Sequence, residues 1–123
     1  MHEQALKNRG SLRSEETQAK YDKHLSERHL RTGCPLCKES GIVEFKYWNV
    51  ITNNFPYDAT FSVHEMLIPK RHTDGSDLTL DEINELTELK KGFLNDNYQY
   101  IIEALPSSKS VPTHFHLHLV ITK

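Results

Sequence analysis

Three histidines near the end of the chain alternate with apolar residues: His114, His116 and His118. Because side chains alternate between the faces of a β-strand, this spacing predicts a strand with three imidazoles on one face and core residues on the other. A neutral imidazole can attack an electrophile, and a protonated one can hold phosphate oxygens or protonate a leaving group. Two alternative interpretations of the three histidines are an exposed polar strand face without a chemical role and a metal site of the His-x-His type.

A sheet is predicted around these histidines, because β-branched and aromatic residues are concentrated in separate runs. We expect strands over residues 42–51 (one or two strands), 61–68, 98–104 and 114–122. Asn, Pro and Asp predict a loop over residues 53–58. Since short loops can join most of these strands, the sequence favours an α+β fold with an antiparallel sheet of about five strands.

One long helix is predicted between the strands. Thr79 followed by Glu82 has the pattern of a capping box, and apolar residues recur at helical spacing after it. The helix is therefore expected over residues 80–95.

The N-terminal residues predict a second helix. Residues 1–33 are polar and helix-prone, with Ser14 as a candidate N-cap and Gly33 as a candidate C-cap. Their apolar stripe is thin, so this helix is expected to lie on the surface or to pack against a partner chain. The predicted organisation is a helical extension over residues 1–33 and a single domain over residues 34–123.

Composition narrows the class of protein. A chain of 123 residues with 37% hydrophobic and 26% charged residues suits one globular domain. A net charge of −2 argues against general electrostatic binding of nucleic acid. The first residues lack the apolar core of a signal peptide, and no apolar stretch is long enough for a membrane span, so we expect a cytoplasmic protein without a membrane partner.

Cys34 and Cys37 are the two cysteines of the chain. Two residues separate them, which is typical of a metal knuckle or of a redox pair. A thioredoxin-like pair would follow a strand in a βαβ unit, and no strand is predicted before Cys34, so metal binding is favoured. Two unlinked, reduced thiols are the remaining alternative.

Several motifs together resemble the histidine-triad (HIT) family. Residues 114–120, HFHLHLV, match its His-φ-His-φ-His-φ-φ signature, in which φ is apolar. Residues 64–72, HEMLIPKRH, look like its His-x-Leu-φ-φ-Pro-Lys-Arg-His strand, and residues 53–58 are similar to its nucleoside-side loop. The resemblance covers roughly residues 34–121 and implies a HIT-like fold.

The resemblance also implies roles for individual histidines. His116 would attack the α-phosphorus of a nucleotide derivative and form a covalent nucleotidyl-histidine, which water or another acceptor resolves. His118 would bind phosphate oxygens, and His64 would support the site. His114 would support the site or serve a metal.

Substrate contacts are expected from two segments near these histidines. Asn53 matches the position that often meets the ribose, and Phe55 or Tyr57 could line the base pocket. Ser110 or Thr113 could donate to phosphate. The alternative for residues 53–57 is a turn with aromatic packing.

Some HIT proteins contain a zinc site that this chain resembles. The resemblance implies a structural zinc ion held by four ligands: Cys34, Cys37, His72 and His114. Four protein ligands would leave no open position for a water. Family members also commonly pair as homodimers with a continuous sheet, so a homodimer is expected here.

The predicted function is that of a nucleotide-phosphate hydrolase or nucleotidyl transferase acting through His116, with hydrolysis favoured. The alternative is a zinc-stabilised nucleotide-binding or interaction module without significant turnover, because altered loops can spoil positioning while every catalytic residue remains. Metal-dependent hydrolysis at the histidine cluster is a third, weaker possibility.

Overall fold

The chain folds around one antiparallel sheet. The computed structural model describes residues 1–123. Five strands lie in the order β1-β2-β3-β5-β4. They are β1 (Val43–Glu44), β2 (Trp48–Thr52), β3 (Phe61–Pro69), β4 (Tyr100–Ile102) and β5 (Leu117–Thr122). The predicted α+β fold with about five antiparallel strands is confirmed.

Four α-helices accompany the sheet: α1 (Glu3–Lys7), α2 (Glu15–Ser26), α3 (Leu80–Lys91) and α4 (Phe93–Asn97). The capping box of Thr79 and Glu82 is present at the start of α3. At Gly92 the backbone leaves helical geometry, with φ −115° and ψ −99°, so the predicted long helix is present but bent into α3 and α4. None of the helices is long and apolar enough to cross a membrane.

The N-terminal helix is shorter than predicted. Ser14 caps α2 as expected, because its hydroxyl accepts a hydrogen bond from the Thr17 amide at 3.2 Å. The prediction that Gly33 is the C-cap is wrong, since α2 ends at Ser26 and a 3₁₀ turn follows it. Gly33 instead has a φ of +76°, a left-handed conformation that favours glycine, immediately before Cys34.

The two faces of the sheet are covered differently. One face packs its largest apolar residues against α3 and α4: Trp48, Val50, Leu67, Leu117 and Leu119, with Leu89 and Leu94 from the helices. The next residue in β3 faces the opposite side, where Ile68 packs with Ile51 and Leu36. His64 and His118 lie on this second face by the same alternation. The sheet therefore separates a helical core from a second layer that contains the histidines.

Two strands are shorter than the sequence predicts. The last strand begins at Leu117 rather than at residue 114. The reason is that the Phe115 amide donates to the Thr73 carbonyl at 2.6 Å, so the chain before Leu117 follows the turn after β3 instead of the β-ladder. The strand predicted over residues 98–104 is limited to Tyr100–Ile102 at the edge of the sheet.

Candidate active site and metal centre

Three buried imidazoles form the centre of the second face. His64 lies on β3, His118 lies on β5, and His116 immediately precedes β5; their exposed fractions are 6%, 3% and 3%. The antiparallel register places Met66 opposite His118, which brings the two strand histidines together. Nε2 of His64 is 2.7 Å from Nδ1 of His118, and the rings of His116 and His118 meet edge to face at 5.2 Å.

The Tyr57 amide determines the proton position on His64, and His64 in turn determines the proton position on His118. The Tyr57 amide donates to Nδ1 of His64 at 2.9 Å, so this nitrogen carries the lone pair and Nε2 carries the proton. Nε2 of His64 then donates to Nδ1 of His118. The neutral His118 ring must therefore carry its proton on Nε2, as a hydrogen-bond donor.

His116 has the opposite arrangement. Its Nδ1 is 3.0 Å from the carbonyl oxygen of His114, which can only accept, so Nδ1 carries the proton. Nε2 of His116 therefore has a free lone pair. The site combines a nucleophilic nitrogen on His116 with a donor N–H on its neighbour His118.

Burial keeps these histidines neutral. It is the main cause that lowers the pKa of His116; the hydrogen bond to the His114 carbonyl raises this pKa, and the charge of Lys109 lowers it by a smaller amount. Burial also lowers the pKa of His64 and His118, and the neighbouring charges of Arg13 and His116 act in the same direction. No carboxylate contributes to any of the three shifts. The neutral form that nucleophilic attack requires is therefore the stable one at neutral pH.

A cleft of about 520 Å³ opens beside His116 and His118. Four of the five predicted substrate-binding residues line it: Asn53, Phe55, Ser110 and Thr113. Tyr57 does not line it. Its ring packs against His64 at 4.3 Å and against His118 at 5.2 Å, behind the cleft. The position of Tyr57 thus fits orientation of the imidazoles better than contact with a base.

The loop that contains Asn53 is organised by its own side chains. The Asn53 carbonyl oxygen Oδ1 accepts from the Phe55 amide at 2.8 Å. The Phe55 ring packs against the rings of Tyr21 at 5.4 Å and His24 at 4.7 Å. One wall of the cleft is therefore aromatic and joins the loop to helix α2.

The N-terminal segment is part of the site, which the sequence does not predict. Nε of Arg13 donates to the Phe55 carbonyl at 2.7 Å, and its guanidinium lies over the Tyr21 ring at 3.9 Å. Asp58 accepts from the Ser14 amide at 2.8 Å and from the Thr17 hydroxyl at 2.6 Å. These hydrogen bonds, the Thr17 bond foremost, lower the pKa of Asp58 to about 2. Helix α2 is thereby docked on its own chain.

A second cluster lies on the other side of His116. Ligand atoms of Cys34, Cys37, His72 and His114 are all within 4.8 Å of one another, so these four residues could hold a metal ion. Nδ1 of His114 is 3.4 Å from Sγ of Cys34 and 3.3 Å from Sγ of Cys37. Nδ1 of His72 is 3.1 Å from Sγ of Cys37.

The donor set fits a tetrahedral metal. Nε2 of His114 donates to the Pro69 carbonyl at 3.0 Å, so its Nδ1 presents a lone pair to the thiols. A carbonyl behind a metal-binding imidazole commonly fixes the ligand tautomer in this way. Zinc bonded at about 2.3 Å to sulfur and about 2.0–2.1 Å to nitrogen holds its ligand atoms roughly 3.3–3.8 Å apart, close to the spacing found here.

Comparison with known proteins finds similar chains only among solved structures. No family model matches the chain, and no curated protein matches it significantly. Among solved structures, it is similar to a HIT family hydrolase from Legionella pneumophila, with 21% identity, a TM-score of 0.53, and coverage of 74% of this chain and 94% of the other. A histidine triad protein from Clostridium difficile shares 18% identity at a TM-score of 0.53, covering 76% and 93%.

A HIT family hydrolase from Clostridium thermocellum is similar to the same degree, with 19% identity, a TM-score of 0.53, and coverage of 73% and 90%. At this identity the likeness concerns the fold. Nearly the whole length of each neighbour is matched. The chain therefore has the histidine-triad fold.

Proposed function

We propose that this chain is a nucleotide-phosphate hydrolase or nucleotidyl transferase that acts through a covalent nucleotidyl-histidine on His116. The observation that carries the proposal is that His116 and His118 line one cleft with hydrogen-bond partners that imply opposed tautomers: a lone pair on Nε2 of His116 and an N–H on Nε2 of His118. Attack on phosphorus needs a nucleophile and a donor to the phosphoryl oxygens in the same place.

The proposed reaction has two displacements. The Nε2 lone pair of His116 forms a bond to the α-phosphorus, and the bond from phosphorus to the leaving group breaks with its electron pair on the leaving group, which takes a proton from solvent when it is an amine. Water, or another acceptor, then bonds to phosphorus as the N–P bond breaks and returns its electron pair to Nε2. The proton of the attacking water passes to solvent. Hydrolysis releases a nucleoside monophosphate.

The surrounding groups have distinct parts in these steps. His118 donates from Nε2 to a phosphoryl oxygen and offsets the charge that develops there. The His116 ring becomes positive once phosphorus is attached, and the His114 carbonyl that accepts from its Nδ1 then makes a stronger, charge-assisted hydrogen bond. His64 holds the His118 ring in its tautomer. It is a positioning residue, since it does not line the cleft.

Zinc is the metal we propose for the second cluster, because two thiolates and two imidazoles are a common structural zinc set. With four protein ligands it would supply no water or Lewis-acid position for the reaction, and it would serve to hold residues 34–37 against the segment that leads to His116. His114 belongs to this set and is the residue next but one to His116. The third possibility was hydrolysis by a metal at the histidine triad. It gains no support from a cluster whose four ligands leave the metal no open position.

The test compares wild type, His116→Gln and His29→Gln on a panel of adenine and guanine nucleotide derivatives. His29 is an exposed histidine outside the cleft, so its variant controls for the loss of an imidazole. We expect mononucleotide release and a nucleotidyl mass adduct in wild type and His29→Gln, and neither in His116→Gln. Turnover that survives in His116→Gln would overturn the mechanism. Binding without turnover or labelling across the panel would favour the binding-module alternative.

A further inference from the structure

One wall of the cleft carries uncompensated positive charge. The N-terminal segment and the knuckle region contribute four cationic side chains to it, from Arg13, Arg28, Arg31 and Lys38, against a single acid, Glu39. None of the four cations is within 4.0 Å of a carboxylate; the ion pairs of the chain involve other basic groups. A concave wall of this composition raises the local concentration of anions.

The four cations differ in what already engages them. The Arg13 guanidinium is held between the rings of Tyr21 at 3.9 Å and Tyr57 at 4.9 Å. Arg31 has one bond, from Nη2 to the His24 carbonyl at 2.7 Å, and its other donors are free to bind. Arg28 is exposed and precedes Arg31 by one turn of 3₁₀ helix. Arg28 and Arg31 are therefore the cations available to a ligand.

Both ends of this wall are anchored. On one side, the main-chain carbonyl of His24 accepts from Arg31, and the His24 ring packs on the Phe55 ring at 4.7 Å. On the other side, Lys38 donates to the Thr32 carbonyl, and Cys34 lies against His114. The arginines thus lie on a defined part of the cleft that also contains His116 and His118. The Arg31 guanidinium, which is already held by the His24 carbonyl, loses little conformational entropy when it binds an anion.

We propose that Arg28 and Arg31 form a subsite for a second anionic group of the substrate, beyond the phosphate that His116 attacks. The substrate class is then a nucleotide derivative with at least one further phosphate. The inference rests on the proposed function, because it takes the attacked phosphate as its reference point. The further phosphate can belong to the leaving group or to the nucleoside, and the experiment distinguishes these sources.

The experiment measures kcat/KM on three adenosine compounds: a 5′-phosphoramidate with a neutral amine leaving group, a dinucleoside polyphosphate, and the 5′-phosphoramidate with an added 3′-phosphate. The variant is Arg28→Gln/Arg31→Gln. Its matched control is Lys20→Gln/Lys23→Gln, which removes the same charge from α2 outside the cleft. We expect the arginine variant to lose about tenfold or more on one of the two phosphate-rich compounds, as charge-assisted hydrogen bonds are lost. The compound whose kcat/KM falls shows whether the further phosphate belongs to the leaving group or to the nucleoside.

The arginine variant on the 5′-phosphoramidate without a second phosphate, and the lysine control on all three compounds, should change by no more than about twofold, as is usual for surface substitutions. Arg31→Lys keeps the charge but loses the guanidinium contact with His24. Because charge attracts the second phosphate, this variant should retain most of the wild-type kcat/KM on the compound that carries it. An equal loss on all three compounds would show a structural role and overturn the subsite. So would unchanged kcat/KM on both phosphate-rich compounds.

Failure of the proposed function leaves the subsite testable. If wild type turns over none of the compounds, titration with inorganic tripolyphosphate by calorimetry replaces the kinetic assay. Weaker binding to Arg28→Gln/Arg31→Gln than to Lys20→Gln/Lys23→Gln would support the subsite. Equal affinity for the two variants would overturn it.

Discussion

Acidification should destabilise the fold through the buried pair of His64 and His118. Both imidazoles are nearly inaccessible and share a hydrogen bond of 2.7 Å, so the folded protein can protonate neither cheaply. Burial is the largest cause that lowers the pKa of each one. In the unfolded chain both have a pKa of about 6.5. Below that pH the unfolded state binds more protons than the folded state, and stability falls as pH falls.

The size of the effect follows from this difference. Between pH 7.5 and pH 5.5, a histidine that protonates only in the unfolded state costs about 1.4 kcal/mol of unfolding free energy. The pair therefore costs ~2.7 kcal/mol. That is a large fraction of the roughly 5–15 kcal/mol that stabilises an ordinary domain.

Urea unfolding at the two pH values measures it. We compare wild type with His64→Gln and His118→Gln, each of which should reduce the pH-dependent loss by about 1.4 kcal/mol. Leu119→Val serves as the control, because it should lower stability equally at both pH values. All four proteins share the Cys34 cluster, so acid-induced metal loss cancels in the comparison. If neither glutamine variant reduces the pH-dependent loss, the two histidines are not held neutral and the tautomer argument fails.

Three further outcomes are expected. Cys34→Ser should reduce bound zinc from about one ion per chain to near zero by elemental analysis, and unchanged metal content would contradict the ligand set. Gly75→Ala should destabilise by roughly 1–3 kcal/mol in urea, because a left-handed φ of +94° and the overlap of an added Cβ with the Phe115 ring both oppose it; wild-type stability would refute this. Asp58→Asn should speed amide exchange at Thr17 by about tenfold as the helix loosens, and unchanged exchange would show that docking does not depend on the carboxylate.

The pattern of the three histidines predicts which neighbouring residues are buried in the core, because the alternation of side chains between the faces of a strand is a local rule. Leu117 and Leu119 lie in the core at 4% and 0% exposure, and His118 faces the other side. The rule did not set the start of the strand. Hydrogen bonds from the segment around His114 to Pro69 and Thr73 decide that, and they join parts of the chain that are distant in sequence. Propensity carries no information about such a partner.

The sequence does not predict the contribution of the N-terminal segment to the candidate site, for a related reason. Arg13 reaches a main-chain carbonyl 42 residues away, and such an acceptor has no side-chain signature. Asp58 lies in a turn, where an aspartate already has a sufficient local explanation, so its bonds to Ser14 and Thr17 could not be inferred. The division at residue 33 and the homodimer remain predictions.

The acceptors that orient His114 and His116 are both main-chain carbonyls, those of Pro69 and His114. In a serine-protease triad the orienting group is an aspartate side chain, which a single codon change can remove. Every amino acid at position 69 or 114 would still present a carbonyl. A substitution at position 114 should therefore remove a proposed metal ligand but leave in place the acceptor that orients His116, the proposed nucleophile. The orientation of His116 therefore depends on the path of the backbone between the turn after β3 and the start of β5, and not on an acidic side chain.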